Sequence, residues 1–177
     1  MKKISLPLNK KDITKLKSGD LVLLSGKIIT GRDQAHKRLV EAILKKEKLP
    51  VRLKGQTIYY MGPTPAKPGE VIGSCGPTTS SRLDKFTPTL LKHGLMGMIG
   101  KGNRSNEVIH SIKKYKCIYF VTMGGAGAYL SKKVKLCKII AYKDLGPEAM
   151  CELVIKDFPA IVWIDSKGKK YDTLEQS

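Results

Sequence analysis

Short apolar runs of strand length alternate with segments of helical period along most of the chain, and that alternation confines it to the α/β folds. "DLVLLSGKIIT" (Asp20 to Thr30) holds two β-rich runs around Ser25-Gly26. "RDQAHKRLVEAILKKEK" then places Ala35, Leu39, Ala42 and Ile43 at helical spacing and stops before Pro50. "QTIYYMGP" reads as a strand stopped by Gly62-Pro63, and "EVIGSCGP" as a short strand. "DKFTPTLLKHG" reads as a short helix ended by Gly94, and "LMGMIGKG" as a strand. "EVIHSIKKY" is a helix and "CIYFVTM" a buried strand, while "GGAGAYLSKKV" is a Gly-rich turn opening a small-residue helix. "LCKIIAY" and "PAIVWIDSKG" are further strands. Several links are of hairpin length, so the expected architecture is a mixed sheet, not a purely parallel one. At 177 residues, with 41% hydrophobic content, one domain with a single substantial core is expected. The domain is expected to run over 1–177, with a short polar tail at about 172–177.

Three polar segments fall at strand ends: "TGRD", "CGPTTSSR" and "GKGNRS". Side chains leaving neighbouring strand ends into one crevice are how α/β sheets build sites. Only five of the 33 cationic residues are arginines, and three of those, Arg32, Arg82 and Arg104, sit in these segments. A chain that otherwise uses lysine has reason to use arginine where a planar, two-pronged donor is needed. Guanidinium groups, a lysine and threonine hydroxyls make a cradle for a small dicarboxylate, because each carboxylate takes two parallel charge-assisted hydrogen bonds. The same parts could grip a phosphate, so these residues alone leave the anion open. "GGAG" lacks both the Walker lysine and the full dinucleotide fingerprint, and reads as tight strand-to-helix packing.

Other features narrow the field. The formal charge of +18 invites a nucleic-acid reading, but the lysines are dispersed, there is a single Trp, and no aromatic-interleaved motif is present. Lysine enrichment also serves solvation and ion pairing in proteins from hot environments. No apolar run approaches the roughly 20 residues that span a bilayer. The basic N-terminus lacks the apolar segment of a secretory signal, so the expected address is the cytoplasm. Cys75, Cys117, Cys137 and Cys151 are too widely spaced for a zinc or cluster motif. They are expected as free thiols, Cys117 and Cys137 buried and Cys75 available to line a pocket, with no metal held by this chain alone.

"TGRDQAHKR" (Thr30 to Arg38), "YYMGPTPAKPGEVIGSCGPTTSSRLD" (Tyr59 to Asp84) and "IGKGN" (Ile99 to Asn103), in that order, resemble the C-terminal region of class I fumarate hydratases. In many prokaryotes that region is a separate β subunit, and the tartrate dehydratase β subunit shares the layout. The resemblance extends through "DFPAIVWIDSKG" and implies a swivelling β/β/α domain of mixed sheet. It further implies a partner α subunit that carries an oxygen-sensitive 4Fe-4S cluster, in a dimer of heterodimers. By motif position, Arg32, Thr78, Arg82 and Lys101 would contact the dicarboxylate, with Thr78 as the base at the carbon that loses its proton. His36 is a second candidate for proton transfer, and Asp33 is expected to orient Arg32 or to cap the following helix. His93 and His110 are expected at a helix end and on a helix surface. The implied activity is the interconversion of fumarate and L-malate, with L-tartrate dehydration as the alternative and a basic nucleic-acid-binding protein as the distant one.

Overall fold

Neighbouring apolar residues in the strands are buried on opposite faces, so the sheet is covered on both sides. Ile28, Tyr59, Met61, Ile99, Ile118 and Phe120 face one core; Ile29, Ile58, Tyr60, Met98, Cys117 and Tyr119 face another. A computed structural model of the chain describes residues 1–172. The expected polar tail lies, apart from Asp172, outside the described residues.

The strands are β1 (Lys2–Leu6), β2 (Leu21–Thr30), β3 (Thr57–Tyr59), β4 (Gly97–Gly100), β5 (Ile118–Val121), β6 (Val134–Ala141) and β7 (Met150–Ile164). The helices are α1 (Lys10–Lys15), α2 (Asp33–Leu44), α3 (Thr87–Lys92), α4 (Asn106–Tyr115) and α5 (Gly127–Ser131). The sheet order is β1-β2-β3-β4-β5-β7-β6, and β2 also pairs with β7. That extra pairing closes β2, β3, β4, β5 and β7 into a barrel-like ring. β1 to β5 run parallel, while β7 is antiparallel to β2, β5 and β6. The expected mixed-sheet α/β domain is what forms.

Two long strands make the closure possible. The two runs around Ser25-Gly26 form one strand, β2, with a register shift between Leu24 and Gly26. One edge of β2 takes β1 over its first half and β3 at its last two residues, Ile29 and Thr30. β7 does the same with β6 and β5, and begins nine residues before Pro159, where a strand was expected to start. Proline removes a ladder donor. Pro159 lies between the β6 and β5 pairings, close to Asp157, whose φ is +49°.

Helices α2, α3 and α4 cover one core with short apolar stripes. Ala35 and Leu39 of α2, Leu90 and Leu91 of α3, and Val108 and Ile112 of α4 are buried there, while Ile13 of α1 and Leu130 of α5 are buried in the other core. Each fully buried leucine contributes about 1.5–3 kcal/mol. The helix expected at "DKFTPTLLKHG" is shorter than its segment: a 3-10 turn at Ser80–Leu83 precedes α3, and Gly94 (φ +97°) follows it. His93 is the exposed cap of α3 and His110 lies exposed on α4. β1 and α1 had no counterpart among the expected elements; a five-residue strand rich in lysine shows no alternation to read. No described helix is long and apolar enough to cross a membrane.

Two expectations are corrected. "EVIGSCGP" forms no strand, because this segment doubles back on Thr64: Thr64 N–H donates to Ser74 O at 3.0 Å, and Ser74 N–H donates to Thr64 Oγ1 at 2.8 Å. Among the cysteines, all free, Cys75 is fully buried in the core rather than lining an open pocket, and Cys137 is only half-buried. Burial pushes the Cys75 thiol up to about 11.

Candidate functional site

Because β2 to β5 are parallel, the segments that follow Thr30, Tyr59, Gly100 and Val121 leave the same edge of the sheet. "TGRD" and "GKGN" therefore meet there, as their positions in the sequence suggested, while "GPTTSSR", which follows no strand, joins them through the Thr79–Lys101 bridge. The end of β3 ties two of them. Gly31 N–H donates to Tyr59 O at 3.1 Å, and Thr78 N–H donates to Tyr60 O at 2.7 Å.

The Arg32 loop is held by close packing. Arg32 precedes α2 in extended backbone and makes no side-chain cap. Its side chain lies over Gly62: a Cβ there would come within 2.9 Å of Arg32 Cδ and 2.9 Å of Pro147 O. Only glycine leaves that space. Asp33 follows and reaches both arginines. Arg82 Nε donates to Asp33 Oδ1 at 3.2 Å, and Arg32 Nε stands 3.9 Å from Asp33 Oδ2. Arg32 Nε and Asp33 Oδ2 are buried without a hydrogen-bond partner among the described residues. The expectation that Asp33 orients Arg32 was too narrow, since its carboxylate also holds Arg82.

The Thr78–Arg82 loop is held by hydrogen bonds. Thr79 pairs with Lys101 as a parallel bridge. Ser80 N–H donates to Lys101 O at 3.0 Å, and Lys101 N–H donates to Ser80 Oγ at 3.1 Å. Gly100 makes room for this contact; a Cβ there would sit 1.9 Å from Ser80 Oγ. The Lys101 side chain runs over Gly124, with Nζ 3.9 Å from where a Cβ would be. Thr78 is half-buried and Arg82 more than half exposed. Arg32, Arg82 and Lys101 thus bring three cations to one edge, beside threonine hydroxyls.

His36 does not join them. It is fully buried, its Nδ1 2.7 Å from Arg32 O and its ring packed edge-on against Tyr60 at 5.3 Å. A carbonyl can only accept, so Nδ1 carries the proton and Nε2, which has no partner among the described residues, is the bare nitrogen. Burial holds the imidazole down to about 4, helped by the Arg104 guanidinium, so the ring is neutral at pH 7.

Arg104, the third arginine of the polar segments, also turns away from the edge. Its side chain is fully buried, with Nε donating to Asp84 Oδ1 at 2.6 Å. Neither this pair nor the Ser80 contacts were read from the sequence. The one available clue was that arginine replaces lysine at "GKGNRS". Among the described residues no three His, Cys, Asp or Glu side chains converge to hold a metal. Lys37 and Lys85 line one cleft with Asp33 and Arg82. Other lysines lie away from the edge: Lys45, Lys46 and Lys48 follow α2, Lys92 ends α3, and Lys113, Lys114 and Lys116 end α4. Those are the helix ends that return to the opposite side of the sheet, where cations complement the helix dipoles.

Comparison with known proteins identifies the family. The family model described as "Fumarase C-terminus" matches residues 1–173. The anaerobic class I fumarate hydratase of Escherichia coli is 40% identical over 150 residues, covering 84% of this chain and 27% of that enzyme. A protein of Methanocaldococcus jannaschii, named provisionally as an L(+)-tartrate dehydratase subunit beta, is 40% identical over 167 residues, covering 91% of this chain and 86% of its own length. Fumarate hydratase 2 of Leishmania major is 38% identical over 152 residues, 85% of this chain and 27% of that enzyme. The chain spans about a quarter of the length of the fumarate hydratases it matches here.

Proposed function

Since the chain belongs to the Fumarase C-terminus family, we propose that it is the β subunit of a class I fumarate hydratase and supplies the dicarboxylate-binding part of a site completed by an α subunit. The observation that carries this reading is the meeting of Arg32, Thr78, Arg82 and Lys101 on one sheet edge. Two guanidinium forks and an ammonium match the charge and shape of a substrate with a carboxylate at each end. The described residues do not fit a 4Fe-4S cluster, so that group is assigned to the α subunit and no step here runs through it. We place the heteromer, a dimer of heterodimers, in the cytoplasm, where four free thiols stay reduced.

In the hydration direction, the oxygen of one water bonds to one alkene carbon of fumarate and the other carbon takes a proton from Thr78 Oγ. The proton released by the water restores the threonine. In the reverse direction Thr78 removes the proton next to a carboxylate of L-malate. A threonine hydroxyl is a poor acid and base by itself, so Arg82 and Lys101, in a site closed to water by the partner, stabilise its alkoxide. Arg32 holds the far carboxylate. His36, neutral and enclosed, is assigned to holding the Arg32 backbone instead of moving a proton.

The relative from M. jannaschii, matched over 86% of its length, favours a second reading in which the substrate is L-tartrate. Anaerobic co-expression with a cysteine-bearing α subunit tests both. Co-purifying subunits that hydrate fumarate, with kcat/KM well above that for L-tartrate, support the first reading. A reversed preference supports the second. Turnover by the isolated chain, or two subunits that do not associate, would overturn the proposal.

A further inference from the structure

Arg104 lies in a motif that the site does not absorb, and it makes more contacts than any other polar side chain named above. Its Nε donates to Asp84 Oδ1 at 2.6 Å, one η nitrogen to Thr87 Oγ1 at 2.7 Å, and the other to Tyr60 Oη at 3.2 Å. The guanidinium carbon sits 5.2 Å from the Tyr60 ring centroid and 4.8 Å from that of Tyr119, within the range of cation–π attraction. Lysine could supply the charge here but not the fork.

Three partners of Arg104, namely Asp84, Tyr60 and Tyr119, lead to loops of the candidate site. Asp84 immediately follows the 3-10 turn that carries Arg82, and its second oxygen accepts from Ser105 N–H at 2.7 Å, just beyond "GKGN". Tyr60 holds Thr78 through its carbonyl. Tyr119 Oη lies 2.9 Å from Gly102 O and 2.8 Å from Ser80 Oγ. The carbonyl can only accept, so the phenol proton goes to Gly102 and the serine hydroxyl donates to the phenol oxygen. Ser80 in turn accepts from Lys101 N–H. The chain of contacts joins Thr78, Arg82 and Lys101. Among the described residues, no hydrogen bond or ion pair of Arg104 reaches the Arg32 loop.

We infer that Arg104 is a positioning residue that locks the Thr78–Arg82 loop to the Lys101 loop as one rigid unit, which meets the Arg32 loop through Asp33 and the end of β3 and not through Arg104. The inference rests on the dicarboxylate-site reading for its kinetic consequence, but the locking itself does not need that reading. The kinetic test is Arg104→Lys in the assembled, anaerobic α/β complex, alone and combined with Arg82→Lys or Arg32→Lys. kcat/KM for fumarate should fall at least tenfold. Combination with Arg82→Lys should cost much less than the product of the single effects, and combination with Arg32→Lys should be multiplicative. A variant with a lowered Tm but unchanged kcat/KM, or one equally additive with both arginines, would overturn the inference.

Hydrogen exchange on the full chain tests the locking without activity. Arg104→Lys, or Tyr119→Phe if the first variant does not fold, should speed exchange at the Ser80 and Lys101 amides by tenfold or more and leave Gly31 unchanged. Uniform loss of protection, or none, would contradict it. If the wild-type complex turns over no dicarboxylate while exchange still separates the two units, the functional reading fails and the positioning inference stands.

Discussion

The two loops that carry the candidate arginines reach the same sheet edge by different constructions. The Thr78–Arg82 loop is hydrogen-bonded to Lys101 and rests on a buried polar network. The backbone around Arg32 has hydrogen bonds of its own, from Gly31 N–H to Tyr59 O and from His36 Nδ1 to Arg32 O, but the arginine side chain is set by contact, crossing Gly62. Among the described residues, only the Asp33 carboxylate bridges the two arginines directly. A loop fixed by hydrogen bonds is vulnerable to loss of a polar group, which leaves its partner buried and unsatisfied. A side chain set by contact is vulnerable to added bulk. The two halves of one site should therefore fail in different ways.

Acid should separate them with the largest effect. His36 has a folded-state value of about 4, against 6.5 for the free side chain. Between those values the unfolded chain binds a proton that the folded chain refuses, so stability is present above pH 6.5 and is lost as pH falls through 4. Roughly 3 kcal/mol should disappear between pH 7 and pH 4. The measurement is denaturant unfolding of the wild type against His36→Phe. A wild type that loses no more stability than the variant would show that the ring is not held neutral.

Thr78→Ala should lower kcat for fumarate hydration roughly 100-fold or more in the α/β complex and spare substrate binding, as loss of a proton-transfer group does. Thr79→Ala is the paired control and should matter far less. The opposite ranking would move the role to Thr79.

Arg82→Lys keeps the charge and loses the fork, so KM should rise about tenfold, or about 1.4 kcal/mol, with kcat less affected. Gly62→Ala tests the contact-built side. Its new methyl group meets Arg32 Cδ, which can move, and Pro147 O, which is backbone. KM should rise about fivefold, in the range a small overpacking strain allows, with hydrogen exchange at Ser80 and Lys101 unchanged. Loss of protection at those amides would mean that the two loops are not built independently.

Asp33→Asn should have the smallest effect. Its pair with Arg82 is half exposed, and such pairs contribute about 0–1 kcal/mol. A change of KM by no more than about threefold is expected from steady-state kinetics. A loss as large as that of Arg82→Lys would make Asp33 a principal organiser of the site.

The sequence revealed the loops better than it revealed what supports them. Strand-end position brought "TGRD" and "GKGN" to one edge, because parallel strands share their direction; "GPTTSSR", expected after a strand that does not form, is held there by the Thr78 N–H bond to Tyr60 O and the Thr79–Lys101 bridge. The closure of the barrel was not legible, since it depends on β2 changing partners at Gly26 and on β7 running through Pro159. The scarcity of arginine pointed to Arg82 and Arg104 equally. One proved more than half exposed and the other fully buried. Only the tertiary placement of Tyr60, Asp84 and Tyr119 separates them, and none of those lies at a spacing from Arg104 that a helix or strand would make meaningful. His36 shows the same limit: four residues from Arg32, it supports that residue's backbone from inside the core.

The most direct test is the structure of the anaerobic α/β complex with L-malate bound. The account expects both carboxylates within hydrogen-bond distance of Arg32, Arg82 and Lys101, with Thr78 Oγ facing the carbon that loses its proton. L-malate anchored without Arg82 and Thr78, or bound away from this edge of the sheet, would contradict it.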